Sequence, residues 1–134
     1  MNAIVNFLTA TPVQFLATVG MDGKPKVRPF QFMLEDNGKL WFCTGNKKDV
    51  YAELQKQSYI ELSASSPTNA WLRLSAKVIF ADNIDIKNRI ITQNELVRSI
   101  YKSGDNPEFE VFYLADGTAV ITDFSGNSPQ TYTL

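Results

Sequence analysis

The segment at residues 24–51, KPKVRPFQFMLEDNGKLWFCTGNKKDVY, constrains the fold more than any other part of the chain. Two stretches that alternate between apolar and polar residues flank the turn sequence EDNG, a pattern typical of a β-hairpin. Because strand side chains alternate between two faces, each stretch places one set of residues on a common face. The two sets are Arg28, Phe30, Phe32 and Leu34 in the first strand and Leu40, Phe42 and Thr44 in the second. The paired strands are therefore predicted to line a pocket with a guanidinium group, aromatic rings and a hydroxyl.

A helix is predicted to follow this hairpin at residues 47–57, with Asn46 as its N-cap and Asp49 completing a capping box. Lys47 and Lys48 would then lie in the first turn, where the partial positive charge of the helix start disfavours a cation. A bound phosphate would turn this repulsion into attraction, because free backbone N–H groups and two ammonium groups would face an anion. The alternative is that both lysines extend into solvent, as charged runs usually do.

The composition excludes several classes of site and partner. A net charge of −1 over 134 residues argues against a broad surface for nucleic acid or an anionic membrane. The absence of histidine removes the Ser-His-Asp triad, the Cys-His dyad and histidine-ligated haem, and we expect no metal site. The single cysteine, Cys43, excludes an internal disulfide and is interpreted as a core thiol. With no spanning run or signal peptide, we expect one cytoplasmic domain at residues 1–134.

The remaining apolar patterns predict short helices and strands around the hairpin. Further helices are predicted at residues 1–11 and 82–102, and further strands at residues 13–19, 58–65, 70–81, 108–115 and 118–124. About six short alternating strands tend to close into a small barrel, which removes their exposed edges. A barrel of this size is filled by its own side chains, so a ligand is expected in an outer groove or between subunits.

Further predictions concern one face of the first strand, the cap of the long helix, the last hairpin and the C-terminal tail. The strand at residues 13–19 places Val13, Phe15, Ala17 and Val19 on one face. The helix at 82–102 is expected to be capped by Asp82 or Asp85, and the last two strands to form a hairpin around Asp116 and Gly117. The tail at residues 125–134 is either a short extra strand or disordered.

The strand at residues 70–81 carries a half-polar face with Trp71, Arg73, Ser75 and Lys77. Such a face can contribute an aromatic ring and a guanidinium group to a ligand site. Alternatively, Trp71 is a partly buried rim residue and Arg73 a solvated charge. The residues alone leave both alternatives open.

Three segments resemble the pyridoxamine 5′-phosphate oxidase-like family of FMN-binding split barrels, especially its small members grouped with nitroimidazole reductases. They are GKPKVRPFQF at 23–32, LWFCTGNKKDVY at 40–51 and WLRLSA at 71–76, and GDNPEFEVF at 104–112 also fits. The resemblance covers nearly the whole chain. It implies a mainly β fold with short helices, namely a six-stranded antiparallel split β-barrel of Greek-key type with flanking helices.

The resemblance further implies a homodimer with FMN at the subunit interface. The expected activity is that of an FMN-dependent oxidoreductase that reduces a small aromatic or nitro compound, with a nicotinamide as a possible electron donor. True pyridoxamine phosphate oxidases carry a C-terminal segment rich in Trp, Arg and His, which this sequence lacks, so we do not expect their activity. The alternatives are a non-catalytic flavin-binding or sensor protein, and an oligonucleotide-binding barrel, which the net charge of −1 disfavours.

The resemblance assigns the phosphate end of FMN to one group of residues. Arg28, Lys47 and Lys48 are expected to hold the phosphate. Thr44 is expected to contribute its hydroxyl, and Asn46 to line the same end.

The flavin ring is assigned to a second group. Pro29 and Phe30 are expected to run beside the ring, with Phe42 supporting that wall. Trp71 and Arg73 are expected at the ring or at the open substrate face. No catalytic acid or base is predicted, since the cofactor would carry the hydride and electron transfer.

Overall fold

The alternating patterns of the sequence form a mainly antiparallel β structure with short helices in the computed structural model, which describes residues 1–134. The helices are α1 (Asn2–Ala10), α2 (Asp49–Lys56), α3 (Ile84–Gln93) and α4 (Glu95–Tyr101). The strands are β1 (Gln14–Val19), β2 (Pro25–Phe30), β3 (Leu34–Asp36), β4 (Lys39–Gly45), β5 (Tyr59–Ser65), β6 (Trp71–Ala81), β7 (Phe109–Thr122) and β8 (Gln130–Thr133). The predicted fold class is confirmed, although the chain forms eight strands rather than six.

The strands form one sheet in the order β2-β1-β5-β6-β7-β4-β3, and β8 pairs with β7. The predicted hairpins β1–β2 and β3–β4 are both present and antiparallel. The strand predicted before the EDNG turn is divided, however: β2 ends at Phe30 and pairs with β1, and only Leu34–Asp36 pairs with β4. The predicted common face of Arg28, Phe30, Phe32 and Leu34 is therefore wrong, since Phe30 and Phe32 pack against one apolar core and Leu34 belongs to another.

Strand β7 is the longest at 14 residues and pairs with β4 along its first part and with β8 along its last part. It therefore joins the β3–β4 hairpin to the rest of the sheet. None of the four helices has the length and apolarity needed to cross a membrane.

The predicted hairpin around Asp116 and Gly117 is wrong, because β7 passes through these residues without reversing. Ser75 pairs with Thr118 and Lys77 with Ala115, so two residues of β7 oppose one residue of β6. This is a β-bulge, in which Asp116 adopts a φ of 52°. A bulge and a tight turn both favour Asp and Gly, so the local sequence alone does not distinguish them.

Two apolar cores lie on opposite sides of the central strands. The first is enclosed by the sheet and contains Leu40, Phe42 and Phe112, all at most 1% exposed. The second lies under α3 and α4 and contains Trp41 and Phe109. Alternate residues of β4 therefore serve different cores, as the period of two requires.

The predicted shared face of Val13, Phe15, Ala17 and Val19 exists, but it points outward. Phe15 is 50% exposed and Val19 is 42% exposed, whereas the opposite face buries Leu16 together with the polar residues Gln14 and Thr18. Those polar residues are tolerated in the core because they are hydrogen-bonded. The amide of Gln14 donates to two carbonyl groups at the end of α1 and accepts from the Phe32 backbone N–H.

The start of α2 differs from the predicted capping box. The helix begins at Asp49, its N-cap is Lys48, and no side chain caps it. Asn46 is not the cap, because its amide instead donates to the Pro107 carbonyl and to the Glu110 carboxylate. Lys47 and Lys48 consequently precede the first turn rather than lie within it.

The helical region predicted at residues 82–102 is divided in two. Asn83 caps α3 and Asn94 caps α4, each by accepting a hydrogen bond from a backbone N–H three residues later. Neither Asp82 nor Asp85 is the cap: Asp82 instead accepts a hydrogen bond from Lys87. Of the two alternatives for the tail at residues 125–134, the short extra strand is present, as β8 (Gln130–Thr133).

The bulge in β7 leads to a stability prediction. A methyl group on Gly117 would lie 2.6 Å from the Ser75 carbonyl oxygen and 2.8 Å from the Ala76 Cβ atom. Since backbone atoms cannot move aside easily, we expect Gly117→Ala to lower the free energy of unfolding by about 1–3 kcal/mol. Urea denaturation measures this change.

The adjacent substitution Asp116→Gly serves as the control. Glycine adopts positive φ without a steric cost, so this change should leave the free energy of unfolding within about 1 kcal/mol of the wild type. Equal stability of the Gly117→Ala protein and the wild type would contradict the close packing of β7 against β6.

Candidate functional site

A cavity of about 280 Å³ opens where β2, β4 and the start of α2 meet α4. One wall consists of Pro29 and Phe30 at the end of β2, Cys43 and Thr44 from β4, and Lys48 before α2. Lys48 is the only charged residue that lines the cavity. A pocket wall is therefore present, with one cation, but β2 and β4 build it without pairing with each other, rather than as the two strands of one hairpin.

The hydroxyl of Thr44 is the most informative atom in this wall. Thr44 is 3% exposed, and its Oγ1 atom has no hydrogen-bond partner in the protein. An unpaired buried hydroxyl costs roughly 1–3 kcal/mol, so nearly all such groups in folded proteins are paired. Thr44 and Lys48 both line the cavity, a combination suited to a ligand with an anionic oxygen.

The opposite wall is apolar and comes from α4. It contains Leu96, Val97, Ile100 and Tyr101, with Val13 at the rim. The sequence predicted a helix over these residues but did not place them in the site. One signal in the sequence could have identified them. Val97 and Tyr101 alone bury one side of so short a helix, so the further apolar residues Leu96 and Ile100 are not needed for packing.

Two ionisable groups in the cavity remain uncharged near neutral pH. Burial raises the pKa of the Cys43 thiol to about 12, with Lys48 acting in the opposite direction. Burial also raises the pKa of Tyr101, and the nearby acidic groups of Cys43 and Glu108 act in the same direction. Cys43 packs against the second core but is only partly buried and lines the cavity, so its interpretation as a core thiol holds in part.

The predicted site residues divide into two groups. Four of them, Pro29, Phe30, Thr44 and Lys48, line the cavity together. The others, which lie outside the cavity lining, are Arg28, Phe42, Asn46, Lys47, Trp71 and Arg73.

Arg28 takes part in an ion pair within the protein. One guanidinium nitrogen donates to the Thr18 hydroxyl at 2.7 Å and the other to the Glu53 carboxylate at 2.6 Å. Thr18 in turn donates to the same carboxylate oxygen at 2.6 Å. The Glu53 side chain is only 7% exposed, so its charge depends on these partners. The network joins β1 and β2 to α2, the helix that carries Lys48 as its N-cap.

The remaining predicted residues lie elsewhere in the fold. Phe42 is fully buried and stacks on Phe112 at a centroid distance of 5.6 Å. Lys47 is exposed beside the cavity-lining Lys48. Trp71 and Arg73 lie on the outer face of the sheet, where Arg73 pairs with Glu61 at 3.4 Å.

Comparison with known proteins decides the family. The family model for pyridoxamine 5′-phosphate oxidase matches residues 1–115. The chain belongs to this family.

Several solved structures share the fold of this chain. A NimC/NimA family protein from Clostridium acetobutylicum is 28% identical, with a TM-score of 0.92 over 100% of this chain and 92% of that one. A pyridoxamine 5′-phosphate oxidase-related, FMN-binding protein from Nostoc punctiforme is 18% identical, with a TM-score of 0.77 over 97% and 87%. A structure named as an F420 reductase is 19% identical, with a TM-score of 0.61 over 81% and 89%. No curated protein matches this sequence significantly.

These comparisons confirm both the family and the split-barrel fold expected from the sequence. The two structures below 20% identity support the fold alone. In this family member, the cavity lies at the two sequence stretches, GKPKVRPFQF and LWFCTGNKKDVY, that carry much of the resemblance. The assignment of individual residues to a cofactor rests on the geometry of the cavity.

The Arg28 network leads to a second stability prediction. In Glu53→Ala, the guanidinium group of Arg28, whose side chain is 24% exposed, loses its counter-ion. We expect the free energy of unfolding to fall by about 3 kcal/mol, the lower end of the range for breaking a buried pair. Thermal or urea denaturation measures the effect.

The control is Lys26→Ala, which removes an ion pair whose two side chains are 42% and 48% exposed. Exposed pairs contribute little, so this loss should stay below about 1 kcal/mol. Equal losses in the two variants would show that the Glu53 network has no special structural role.

Proposed function

We propose that this protein binds FMN in the cavity between β2, β4 and α4, with the phosphate at Thr44 and Lys48. The observation that carries this proposal is the buried, unpaired hydroxyl of Thr44, which lines the same cavity as Lys48, the only cation in the lining. A phosphate oxygen would accept from the hydroxyl and from the ammonium group, and both hydrogen bonds would be charge-assisted. The FMN-binding relative from Nostoc punctiforme supports the choice of cofactor.

The rest of the cavity suits a flat ring. Pro29 and Phe30 form one side, and the inner residues of α4, Val97 and Tyr101, form another, so the more exposed Leu96 and Ile100 are not needed to hold the ring. At about 280 Å³ the cavity lies just below the range of roughly 300–1,000 Å³ that is usual for ligand sites. One chain would therefore supply only part of the FMN site.

We propose that a second copy of the chain completes the site, in a homodimer formed through the outer face of β1 and β2. Phe15 pairs with Pro29 and Ala17 with Val27 on this face, and Val27 is 67% exposed. This apolar surface continues to Val13 and Pro29 at the cavity rim. Contiguous exposed apolar surface of this kind is typical of a protein interface.

The proposed activity is reduction of a small aromatic or nitro compound, with a nicotinamide as electron donor. FMN supplies hydride and electron transfer when it is bound. The residues of the chain bind its phosphate and shield its ring from water. No carboxylate or histidine lines the cavity, and Cys43 and Tyr101 stay neutral, so the chain offers binding and orientation rather than an acid–base pair.

The absorption spectrum tests the cofactor proposal. The purified protein, or protein mixed with FMN, should show flavin absorbance, and mass spectrometry should identify FMN as the released ligand. If the released ligand is a deazaflavin, the cofactor is not FMN but one of the class named for the F420 reductase relative. Bound FMN that neither NADH nor NADPH reduces would favour a non-catalytic flavin-binding protein.

Charge reversal tests the phosphate position. We expect Lys48→Glu to weaken FMN binding at least about tenfold, because it removes a charge-assisted hydrogen bond and adds repulsion. Lys47→Glu is the matched control, since Lys47 does not line the cavity, and its effect should be clearly smaller. Fluorescence titration of FMN measures both affinities. If Lys48→Glu leaves the affinity for FMN unchanged, Lys48 does not bind the phosphate.

A second charge substitution tests the homodimer. The wild type should have a mass of twice 15.1 kDa by light scattering, and Val27→Glu should weaken the dimer by burying an unpaired carboxylate. The control is Ile84→Glu, because Ile84 is 52% exposed at the start of α3 and lies on neither β1 nor β2. A monomeric wild type, or a dimer that Val27→Glu leaves intact, would reject this interface.

A further inference from the structure

We infer that Leu96 and Ile100 of α4 determine substrate specificity, by forming the contact surface for an uncharged aromatic substrate beside the cofactor. This inference rests on the proposed function and identifies residues that the family resemblance did not assign. It follows from the exposure of the two side chains, the rigidity of their helix and the distribution of charge in the cavity.

Three of the ten large apolar side chains that are exposed on this chain line the cavity. Leu96 is 66% exposed and Ile100 is 56% exposed, and across from α4 the rim residue Val13 is 59% exposed. Scattered apolar residues on a surface need no explanation, but a cluster around a cavity indicates a site that a ligand covers. Leu96 and Ile100 are four residues apart, so they project from the same side of the helix.

The helix that carries these residues is held firmly from its inner side. Val97 and Tyr101 are 7% exposed and pack into the second core. The side chain of Asn94 accepts a hydrogen bond from the Val97 N–H, and Arg98 donates to the carbonyl groups of Ile91 and Thr92. Leu96 and Ile100 are therefore presented to the cavity in fixed positions, which lowers the entropic cost of binding.

The charge of the cavity limits which substrate can use this surface. Lys48 is the only charged residue in the lining, and the proposed function assigns it to the phosphate of FMN. No charged side chain of this wall then remains to pair with a carboxylate or a second phosphate. Burying such a group without a partner is costly, so the apolar wall favours an uncharged ring.

Two probes that differ mainly in charge test this inference, namely 4-nitrotoluene and 4-nitrobenzoate. Their affinities for the FMN-loaded protein are measured from the change in flavin absorbance. The wild type should bind 4-nitrotoluene at least about tenfold more tightly than 4-nitrobenzoate. In the double variant Leu96→Gln with Ile100→Gln, 4-nitrotoluene should bind at least about tenfold more weakly, while FMN affinity and subunit mass stay unchanged.

A gain of function provides the second arm. Leu96→Lys places a cation at the wall and should tighten the binding of 4-nitrobenzoate about tenfold relative to the wild type. The matched control is Ile84→Lys, which adds the same charge at an exposed isoleucine that does not line the cavity. It should leave both affinities as they are in the wild type.

Three results would overturn the inference while leaving the cofactor proposal intact. They are unchanged 4-nitrotoluene affinity in the double variant, dissociation of the dimer in that variant, or no response of 4-nitrobenzoate to Leu96→Lys. Loss of FMN together with the probe would assign α4 to the cofactor instead. A wild-type protein that binds no FMN would reject the proposed function, and this inference with it.

Discussion

The ion pair between Arg28 and Glu53 connects the elements on which the proposed site depends. It ties β2 to α2, and the Thr18 hydroxyl adds β1 to the same network. Because Glu53 is almost fully buried, the pair persists only if all three elements keep their positions. Lys48 forms the N-cap of α2, so the network also positions the one cation of the cavity. Arg28 thus lies outside the cavity lining and supports, through α2, the residue proposed to bind the phosphate.

The residues that line the cavity lower the stability of the free protein, and they are suited to binding a ligand. Thr44 leaves a buried hydroxyl unpaired, and Leu96 and Ile100 leave large apolar side chains in water. Each feature lowers stability when considered alone. Together they surround one opening with a polar end and an apolar wall, which is the arrangement that a phosphate-bearing flat ligand requires. Local departures from good packing are expected at functional sites, where binding compensates for them.

Several predictions succeeded because they depend on patterns within a few residues. The hairpins β1–β2 and β3–β4, the alternation of β4 and the amphipathic strand β6 follow from the period of two. The predictions that were wrong concern features for which the local sequence favours two structures equally. Asp116 and Gly117 are compatible with a bulge as well as with a turn. Asn46 does not cap α2, because its side chain donates a hydrogen bond to Glu110, which is distant in sequence. Four of the ten predicted site residues line the cavity, and the α4 wall was not anticipated.

The sequence by itself determined the family, the split-barrel class and the strands that carry Phe30 and Thr44, because these depend on periodicity and on motifs in contiguous stretches. Only the tertiary structure decided which face of each strand is buried. The apolar side of β1 lies outward because Gln14 and Thr18 find hydrogen-bond partners inside. The tertiary structure also brought α4 against β2 and β4, since that contact joins residues some 50 or more positions apart. No short-range pattern records a contact of that separation.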